Sequence, residues 1–385
     1  MHIDTQLSEL GTAPEEFGGV VNMPPCRAST ILFKNLKDFE AGERGEWPLP
    51  TYGRYGNPTQ VALEEALAKL CKADHAIVTA SGLAAIVAGI SSCVSAGDHI
   101  LVTDAIYGPA RRYCDHELKK FGVEVTYYDP TIGGGIASLI QKNTKLVYVE
   151  SPGSLTFEMQ DVPAIAAAAH KAGALVMADC TWATPLFFDA HAHGVDIIMH
   201  SATKYIAGHS DLVMGVLACK AQLYKGLLRT VRNLGACPAA DNCALALRGL
   251  RTLSLRMARH QESGLKVAHW LKARPEVAQV LHPALPGAPG HDLWKRDMTG
   301  TPSLFSAWLK PINHASLEKF FDSLHHFGLG YSWGGFESLA IPCKLDKVRT
   351  ACPTQKDFGP LIRFHIGLEN VEDLIGDLEK GFGRL

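Results

Sequence analysis

A lysine and two hydroxyl side chains stand close together after a short apolar run. The stretch SATKY places Lys204 close to Ser201 and Thr203, and only His200 separates this stretch from the run 197–199. A lysine amine can condense with an aldehyde to form a Schiff base, and hydroxyls can bind a phosphate group. A lysine in a surface loop is the ordinary alternative, but the residues at 208–211, Gly-His-Ser-Asp, are not a solvated run of charges. The segment therefore suits a phosphorylated carbonyl compound.

An acidic residue and a glycine follow two other apolar runs. Asp179 follows the run 174–178, where a carboxylate can be functional or can cap the next turn, and position alone favours neither. Gly82 and Leu83 follow the run 76–79 and open a helical pattern. Backbone amides at such a helix start can bind an anion, although a simple helix cap is the alternative.

Together these features indicate pyridoxal 5'-phosphate as the cofactor. Asp179 precedes Lys204 by 25 residues, and each follows a predicted strand. A carboxylate beside the pyridine nitrogen keeps that nitrogen protonated, which makes the ring an electron sink, while the lysine holds the aldehyde. The helix start and the hydroxyls take the phosphate. The sequence contains neither GxGxxG nor GxxxxGK(S/T), which argues against a dinucleotide-binding site and against a P-loop.

Strands and helices that can position these residues alternate along the chain. Apolar runs predict strands at 76–79, 99–103, 123–128, 145–150, 174–178, 197–199 and 213–218. Helical spacing predicts helices between several of them, at 82–94, 109–120 and 164–171. The alternation predicts an α/β fold with a mostly parallel sheet and helices on both faces, in which ligands bind at the carboxyl ends of the strands.

The pattern divides the chain into three parts. Residues 1–56 are punctuated by proline and glycine and cannot form a core alone, so we expect them to pack elsewhere as an N-terminal arm. Residues 57–250 are the predicted α/β domain that binds the cofactor. A long helix at 251–273 and mixed elements after it predict a smaller α+β domain over residues 251–385.

The overall composition argues against several classes of protein. The 385 residues carry 37 Lys+Arg and 39 Asp+Glu, a formal net charge of −2, which disfavours nucleic acids and anionic membranes as partners. The 10 Cys include no CxxC pair and the 17 His no HExxH pair, so we expect neither a disulfide framework nor a metal site. The acidic N-terminus lacks an apolar core, and no apolar stretch is long enough to span a bilayer. We therefore expect a soluble, cytoplasmic protein.

Four long segments carry a resemblance to a known family. They are YGRYGNPT at 52–59, ADCTWATPLF at 178–187, SATKYIAGHSD at 201–211 and YSWGGFESL at 331–339. They resemble the Cys/Met-metabolism family of pyridoxal-phosphate enzymes, which has fold type I. The resemblance runs from about residue 26 to the C-terminus. It implies pyridoxal 5'-phosphate as the cofactor, a sulfur amino acid as the substrate and a homotetramer built from two-fold dimers.

The resemblance also implies a role for each residue of the site. The positions that match cofactor contacts are Lys204 at the aldehyde, Asp179 at the pyridine nitrogen, Tyr107 on the ring, and Gly82, Leu83, Ser201 and Thr203 at the phosphate. Tyr52 and Arg54 match residues that reach the phosphate from the neighbouring subunit, which makes residues 1–56 an inter-subunit arm. The positions that match substrate contacts are Arg363 and Ser332 at the α-carboxylate, with Trp333 and Tyr55 nearby. Lys204 and Tyr107 are the implied catalytic residues, and which of them is the base stays open.

Two positions bear on the reaction that the resemblance implies. Trp333 stands where γ-lyases and γ-synthases of the family have an aliphatic residue, which favours a carbon–sulfur β-lyase. The implied reaction is the α,β-elimination of L-cystathionine to homocysteine, pyruvate and ammonia, a step of methionine biosynthesis. Tyr55 stands where the enterobacterial β-lyase has a second arginine, which favours a shorter or less polar thioether.

Other functions are compatible with the same residues. A γ-lyase or γ-synthase is one alternative, and a broader cysteine-S-conjugate β-lyase with a side racemase activity is another, since a carbanion can be reprotonated. A non-catalytic binding protein that keeps the fold and the cofactor is a third. The presence of Lys204, Asp179, Tyr107 and Arg363 argues against that last alternative.

Overall fold

Two β-sheets, one of 7 strands and one of 5, organise the chain. The structure is a computed structural model that describes residues 1–345, 349–352 and 357–385. The strands are β1 (His75–Thr79), β2 (His99–Thr103), β3 (Glu124–Tyr128), β4 (Thr144–Glu150), β5 (Leu175–Asp179), β6 (Ile197–Ser201), β7 (Gly215–Cys219), β8 (Val277–Leu281), β9 (Leu304–Leu309), β10 (Phe327–Gly328), β11 (Ser338–Cys343) and β12 (Leu361–His365). The helices are α1 (Ile3–Glu9), α2 (Leu36–Glu43), α3 (Pro58–Leu70), α4 (Gly82–Cys93), α5 (Gly108–Arg112), α6 (Val162–Lys171), α7 (Thr184–Phe187), α8 (Ala221–Asn233), α9 (Ala240–Leu250), α10 (Leu253–Lys272), α11 (His291–Asp297), α12 (His314–Asp322) and α13 (Val371–Phe382).

The helices nearest the site begin at side-chain caps. The Ser81 side chain accepts a hydrogen bond from Ala84 N at the start of α4, and the Asn57 side chain accepts one from Gln60 N at the start of α3. These acceptors satisfy amides that have no partner inside the helix. Pro58 occupies the first turn of α3, where its missing N–H costs nothing. The cap residues therefore determine where each helix begins.

The larger sheet has the strand order β1-β7-β6-β5-β4-β2-β3. Strands β2 to β6 pair in parallel, whereas β7 runs antiparallel to both of its neighbours, β1 and β6. The predicted α/β fold with a mostly parallel sheet is therefore confirmed. The carboxyl ends of β4, β5 and β6 lie at one edge of this sheet because their chains run in the same direction.

Helices cover both faces of the larger sheet. Successive strand residues point to opposite faces. Val147 of β4 packs in a core with residues of α3 and α6, and the next residue, Tyr148, packs in a second core with residues of α4 and α8. The strands are therefore buried on both sides, which explains why they are continuous apolar runs in the sequence.

The smaller sheet has the order β10-β11-β12-β9-β8. The helices α10, α12 and α13 pack against it, with Leu271, Phe320 and Leu378 fully buried in a third core. Strand β12 is central and pairs antiparallel with β11 and β9. This strand carries Arg363, so the smaller sheet determines the position of the predicted carboxylate-binding residue.

Most predicted elements lie within two residues of their observed bounds, but two regions differ. The predicted helix at 109–120 is α5 followed by a turn of π-helix at Tyr113–Leu118. Residues 1–56 contain α1 and α2, and Leu7 of α1 is buried against the core while its carbonyl accepts a hydrogen bond from Arg251 Nη1 at 2.7 Å. In the described ranges, no helix has the length and apolar character needed to cross a membrane.

Candidate active site

A cavity of about 370 Å³ lies at the carboxyl edge of the larger sheet, facing the smaller sheet. It brings together 10 of the predicted site residues, namely Gly82, Leu83, Tyr107, Asp179, Ser201, Thr203, Lys204, Ser332, Trp333 and Arg363. The first seven come from the first 250 residues, whereas the last three come from the C-terminal part. Both sheets are therefore needed to form one site.

Lys204 lies in the turn that follows β6. Its Nζ donates a hydrogen bond to Ser332 Oγ at 2.6 Å and lies 5.1 Å from the centre of the Trp333 ring. Burial lowers the pKa of Lys204 to about 8, with a further lowering by the charge of Arg363, while Asp179 raises it. A neutral amine is therefore much easier to obtain here than on a solvated lysine, as carbonyl condensation and proton abstraction both require.

Asp179 ends β5 with its carboxyl buried below the cavity. Thr181 N donates to Asp179 Oδ1 at 2.9 Å. Burial raises the pKa of Asp179, whereas the hydrogen bonds of Thr181 and the charge of Lys204 lower it. A buried carboxylate of this kind is stabilised by a cation next to it in the cavity, such as a protonated pyridine nitrogen.

Glu150, which the sequence analysis did not single out, lies beside Asp179. It ends β4, and the parallel register pairs it with Asp179 across the two strands. Burial, followed by the charge of Asp179, raises the pKa of Glu150 well above its ordinary value, which favours the protonated form of Glu150. Glu150 Oε2 accepts a hydrogen bond from Tyr107 N at 2.7 Å. The signal that could have found it is the one used for Asp179, a carboxylate at the carboxyl end of a predicted strand, here 145–150.

The start of α4 forms an anion cradle against the turn after β6. Ser81 Oγ accepts from Ala84 N at 3.0 Å, so the cap leaves the amides of Gly82 and Leu83 directed at the cavity. A Cβ atom on Gly82 would lie 2.7 Å from Ser201 Oγ, so glycine is needed there.

The cradle's second hydroxyl has partners of its own. Thr203 Oγ1 accepts from Met214 N at 3.0 Å and donates to Met214 O at 3.2 Å. A phosphate contact would have to replace the second of these hydrogen bonds, because a hydroxyl has one proton to donate.

Tyr107 and Arg363 lie at the open part of the cavity. Tyr107 is 44% exposed, and burial of its hydroxyl, followed by the charges of Asp179 and Glu150, raises its pKa. Arg363 Nη2 donates to the backbone carbonyl of Ser332 at 3.0 Å. Arg363 thus offers a guanidinium close to the Lys204 amine.

Tyr52, Arg54 and Tyr55 do not line this cavity. Arg54 Nη1 donates to Arg232 O at 2.7 Å, and the Arg54 guanidinium lies 4.5 Å from the centre of the Tyr55 ring. Tyr52 forms an isolated bridge with Thr30. A single chain therefore does not place these three residues at its own cofactor site.

The residues around the cavity fit pyridoxal phosphate. An amine with a lowered pKa, a buried carboxylate that calls for a cation, and a helix start where only glycine fits all face one space. Lys204 would hold the aldehyde, Asp179 the pyridine nitrogen and the start of α4 the phosphate.

This sheet, with a lysine and a carboxylate at its carboxyl edge, defines a pyridoxal-phosphate-dependent enzyme of fold type I. The chain belongs to the family described as "Cys/Met metabolism PLP-dependent enzyme", which matches residues 4–383. Pyridoxal 5'-phosphate is therefore its cofactor, as the sequence predicted.

Known relatives cover nearly the whole chain. A putative cystathionine beta-lyase of Rhizobium johnstonii is 48% identical over 99% of this chain and 96% of its own length. Cystathionine beta-lyase MetC of Escherichia coli K12 is 41% identical over 100% of this chain and 98% of its own length. The crystal structure of cystathionine gamma synthase from Xanthomonas oryzae pv. oryzae in complex with aminoacrylate and cysteine matches with a TM-score of 0.91 and 31% identity, covering 100% of this chain and 98% of that one. The predicted family and carbon–sulfur lyase class are confirmed.

Proposed function

We propose that the enzyme catalyses the α,β-elimination of L-cystathionine to homocysteine, pyruvate and ammonia. One observation carries the proposal: Arg363 Nη2 and Lys204 Nζ both donate to Ser332, to its carbonyl at 3.0 Å and to its hydroxyl at 2.6 Å. A carboxylate bound by Arg363 thus has its α-carbon beside the amine that can remove the α-proton. The printed names of the Rhizobium and Escherichia relatives support cystathionine as the substrate.

Lys204 and Tyr107 have different roles in the proposed proton transfers. Bound pyridoxal phosphate supplies the electron sink for the negative charge that remains when the α-proton is removed. Lys204 is the proposed base, because its pKa is lowered to about 8. The raised pKa of Tyr107 keeps its phenol protonated, so Tyr107 is suited to act as an acid rather than as the base.

The carbon–sulfur bond breaks at the β-carbon. The sulfur leaves with the electron pair of that bond and takes a proton from Tyr107 or from protonated Lys204, which gives homocysteine. The three-carbon unsaturated amino acid that remains takes up water and gives pyruvate and ammonia. Asp179 is the proposed ionised member of the carboxyl pair, because the stronger raising of the pKa is that of Glu150.

The proposed quaternary structure follows from the residues outside the cavity. Of the described residues that line the cavity, Arg363 is the single arginine, and it is assigned to the substrate. A phosphate at the start of α4 therefore gains a guanidinium if Arg54 of a second copy reaches it, together with Tyr52. This favours a two-fold dimer as the smallest active unit, two of which would form the homotetramer.

The domain assignment is proposed on the same basis. Residues 1–56 would be the inter-subunit arm, residues 57–250 the cofactor-binding domain and residues 251–385 the smaller domain. The larger sheet lies within the second range and the smaller sheet within the third, which supports that division. Buried Leu7 shows that the first turns of the arm also pack on their own chain. The cytoplasmic location stays a prediction, which fractionation of the source cells tests.

Product identification tests the proposed reaction. Purified holoenzyme is incubated with L-cystathionine, and pyruvate and 2-oxobutyrate are measured separately, with Lys204→Ala as the inactive control. Pyruvate with an equal amount of homocysteine is expected, whereas 2-oxobutyrate would instead establish γ-chemistry.

Cystine, djenkolate-like thioethers and methionine in parallel assays rank the substrates. A preference for the smaller thioethers would support the effect expected from Tyr55. Alanine racemisation in the same preparation tests the remaining alternative.

A further inference from the structure

The segment Ser332–Gly335 is docked directly on the backbone that carries Lys204. Gly334 has φ +86°, and a Cβ atom there would lie 2.8 Å from Tyr205 N and 2.9 Å from the carbonyl carbon of Lys204. Ser332 has φ +78°, a conformation that costs free energy in a residue other than glycine. This conformation therefore needs external contacts that hold the segment in place.

Strand β12 supplies those contacts at two points. Arg363 donates to Ser332 O at 3.0 Å, and Gly334 N lies 3.1 Å from His365 Nε2. Arg363 and His365 are two residues apart on a strand, so their side chains point to the same side of the sheet. One rigid element thus contacts both ends of the segment that carries Ser332 and Trp333.

The surroundings of His365 determine which of its nitrogens carries the proton. The side chain is 1% exposed, and burial lowers its pKa well below the ordinary value, so the ring is neutral. Ser303 Oγ lies 3.3 Å from His365 Nδ1 and donates its own proton to Ile366 O at 2.6 Å. Ser303 Oγ also lies 3.1 Å from His260 Nδ1, so the contact that selects the tautomer is the Gly334 N–H directed at His365 Nε2. It places the proton of His365 on Nδ1, where it is donated to Ser303 Oγ.

This assignment leaves His365 Nε2 as an acceptor. Nε2 then accepts the hydrogen bond of Gly334 N–H, whereas the other tautomer, protonated at Nε2, would provide no acceptor at that atom. The other tautomer would donate instead to Gly335 O, which also lies 3.1 Å away. The tautomer of His365 thus determines whether Nε2 accepts a hydrogen bond from Gly334 N or donates one to Gly335 O.

We propose that His365 is a positioning residue that binds the Gly334 amide through Nε2 and so keeps Ser332 and Trp333 in place beside Lys204. Through β12, the position of the Lys204 amine is then linked to that of the Arg363 guanidinium. The inference rests on the proposed roles of Lys204 and Arg363. It goes beyond them, because His365 is not among the described residues that line the cavity.

The test compares a variant without the acceptor with one that restores it. We expect His365→Leu to keep the visible absorbance of bound cofactor but to raise KM for the amino acid by about tenfold or more, since a displacement near 1 Å can have so large an effect. The emission of Trp333, isolated as the difference from the same variant carrying Trp333→Phe, should shift as well. We expect His365→Gln, whose side-chain carbonyl can accept from Gly334 N, to restore KM to within about threefold.

His282→Leu is the matched control. His282 is also 1% exposed and lies near the smaller sheet, but its ring packs near Phe305 and Trp182, at 5.4 and 6.5 Å. This variant should lose stability without changing KM or the Trp333 emission. If His365→Leu matches His282→Leu in both readouts, the positioning role is refuted.

If His365→Leu does not fold, the variant Ser303→Ala tests the positioning role of His365 instead. Without the Ser303 hydroxyl, His365 Nδ1–H loses its acceptor, so the Trp333 emission should shift in the same direction and KM should rise. An unchanged emission would overturn the tautomer assignment and the proposal with it. The Trp333 emission is measured without substrate. If it shifts in the variants but the parent enzyme does not turn over cystathionine, the proposed reaction is disproved and the positioning role of His365 is not.

Discussion

Glu150 and Asp179 end neighbouring parallel strands in register, which places two half-buried carboxyl groups next to each other in the cavity wall. Ionising both groups at once costs free energy, because the negative charge of each carboxylate raises the pKa of the other. Burial and the charge of Asp179 raise the pKa of Glu150 well above its ordinary value. The pair therefore carries one negative charge, which is the charge that a protonated pyridine nitrogen needs.

Glu150→Gln is therefore expected to change little at the active site. Glutamine is neutral like protonated glutamate, and its side-chain oxygen can still accept from Tyr107 N. Activity should stay within about threefold of the parent, whereas Glu150→Leu, which loses the acceptor, should reduce kcat about tenfold. Steady-state assays with both variants test this prediction. A loss with Glu150→Gln as large as that with Glu150→Leu would mean that Glu150 acts as an anion.

The same pair predicts how the stability of the apoenzyme depends on pH. The raised pKa of Glu150 means that its contribution to stability is complete below the unfolded value, near 4.5, and is lost as the pH rises through the folded value. Glu150→Gln removes this loss. Urea unfolding at a series of pH values should therefore show a shallower decline above pH 4.5 for the variant, with the exposed Glu65→Gln as the control. Parallel curves for Glu150→Gln and the parent would contradict the assignment.

Lys204 should react with aldehydes at a lower pH than a solvated lysine. Its pKa is lowered from 10.5 to about 8, mainly by burial, so a far larger fraction of this amine than of a solvated lysine is neutral near pH 7. When pyridoxal phosphate is added to apoenzyme, the rate of appearance of the visible band should rise through about pH 8. Lys204→Ala should show no site-specific band. An inflection near the ordinary lysine pKa would show that burial does not lower the pKa of this amine.

Gly82→Ala should weaken cofactor binding by steric conflict. The new methyl group would lie 2.7 Å from Ser201 Oγ at the point where the phosphate is expected. The dissociation constant of pyridoxal phosphate should rise by about tenfold or more, which corresponds to about 1.4 kcal/mol. Absorbance titration of the apoenzyme measures it. Gly226→Ala is the control, because a Cβ atom there meets nothing within 4 Å. Equal affinity in Gly82→Ala and the parent would rule out the cradle.

Hybrid dimers test whether Arg54 serves the neighbouring subunit. Arg54→Ala and Lys204→Ala should each be nearly inactive alone. Co-expression should restore about a quarter of the parent activity, because half of the dimers are hybrids and each hybrid has one intact site. Differently tagged chains allow the hybrids to be isolated and assayed. Hybrids no more active than either variant would show that Arg54 acts within its own subunit, or not at the site.

Local patterns were sufficient for much of the site. Asp179, Lys204 and Gly82 could be placed from the sequence because each comes shortly after an apolar run, and parallel strands bring their carboxyl ends to one edge of a sheet. The same pattern applies to Glu150, which ends a predicted strand, but its contact with Tyr107 N is 43 residues away and depends on the fold. His365 could not be found this way, because it is an ordinary strand residue by pattern and its contact, Gly334 N, is separated from it by 31 residues.

The sequence by itself determined the elements, their alternation and the type of chemistry, since periodicity, helix caps and motif residues act over a few neighbouring positions. Only the tertiary structure decided the antiparallel course of β7, the pairing of Glu150 with Asp179 and the docking of Ser332–Gly335 on Lys204. The physical reason is that strand register and domain packing are set by contacts between distant segments. Those contacts depend on the fit of whole surfaces rather than on any local run of residues.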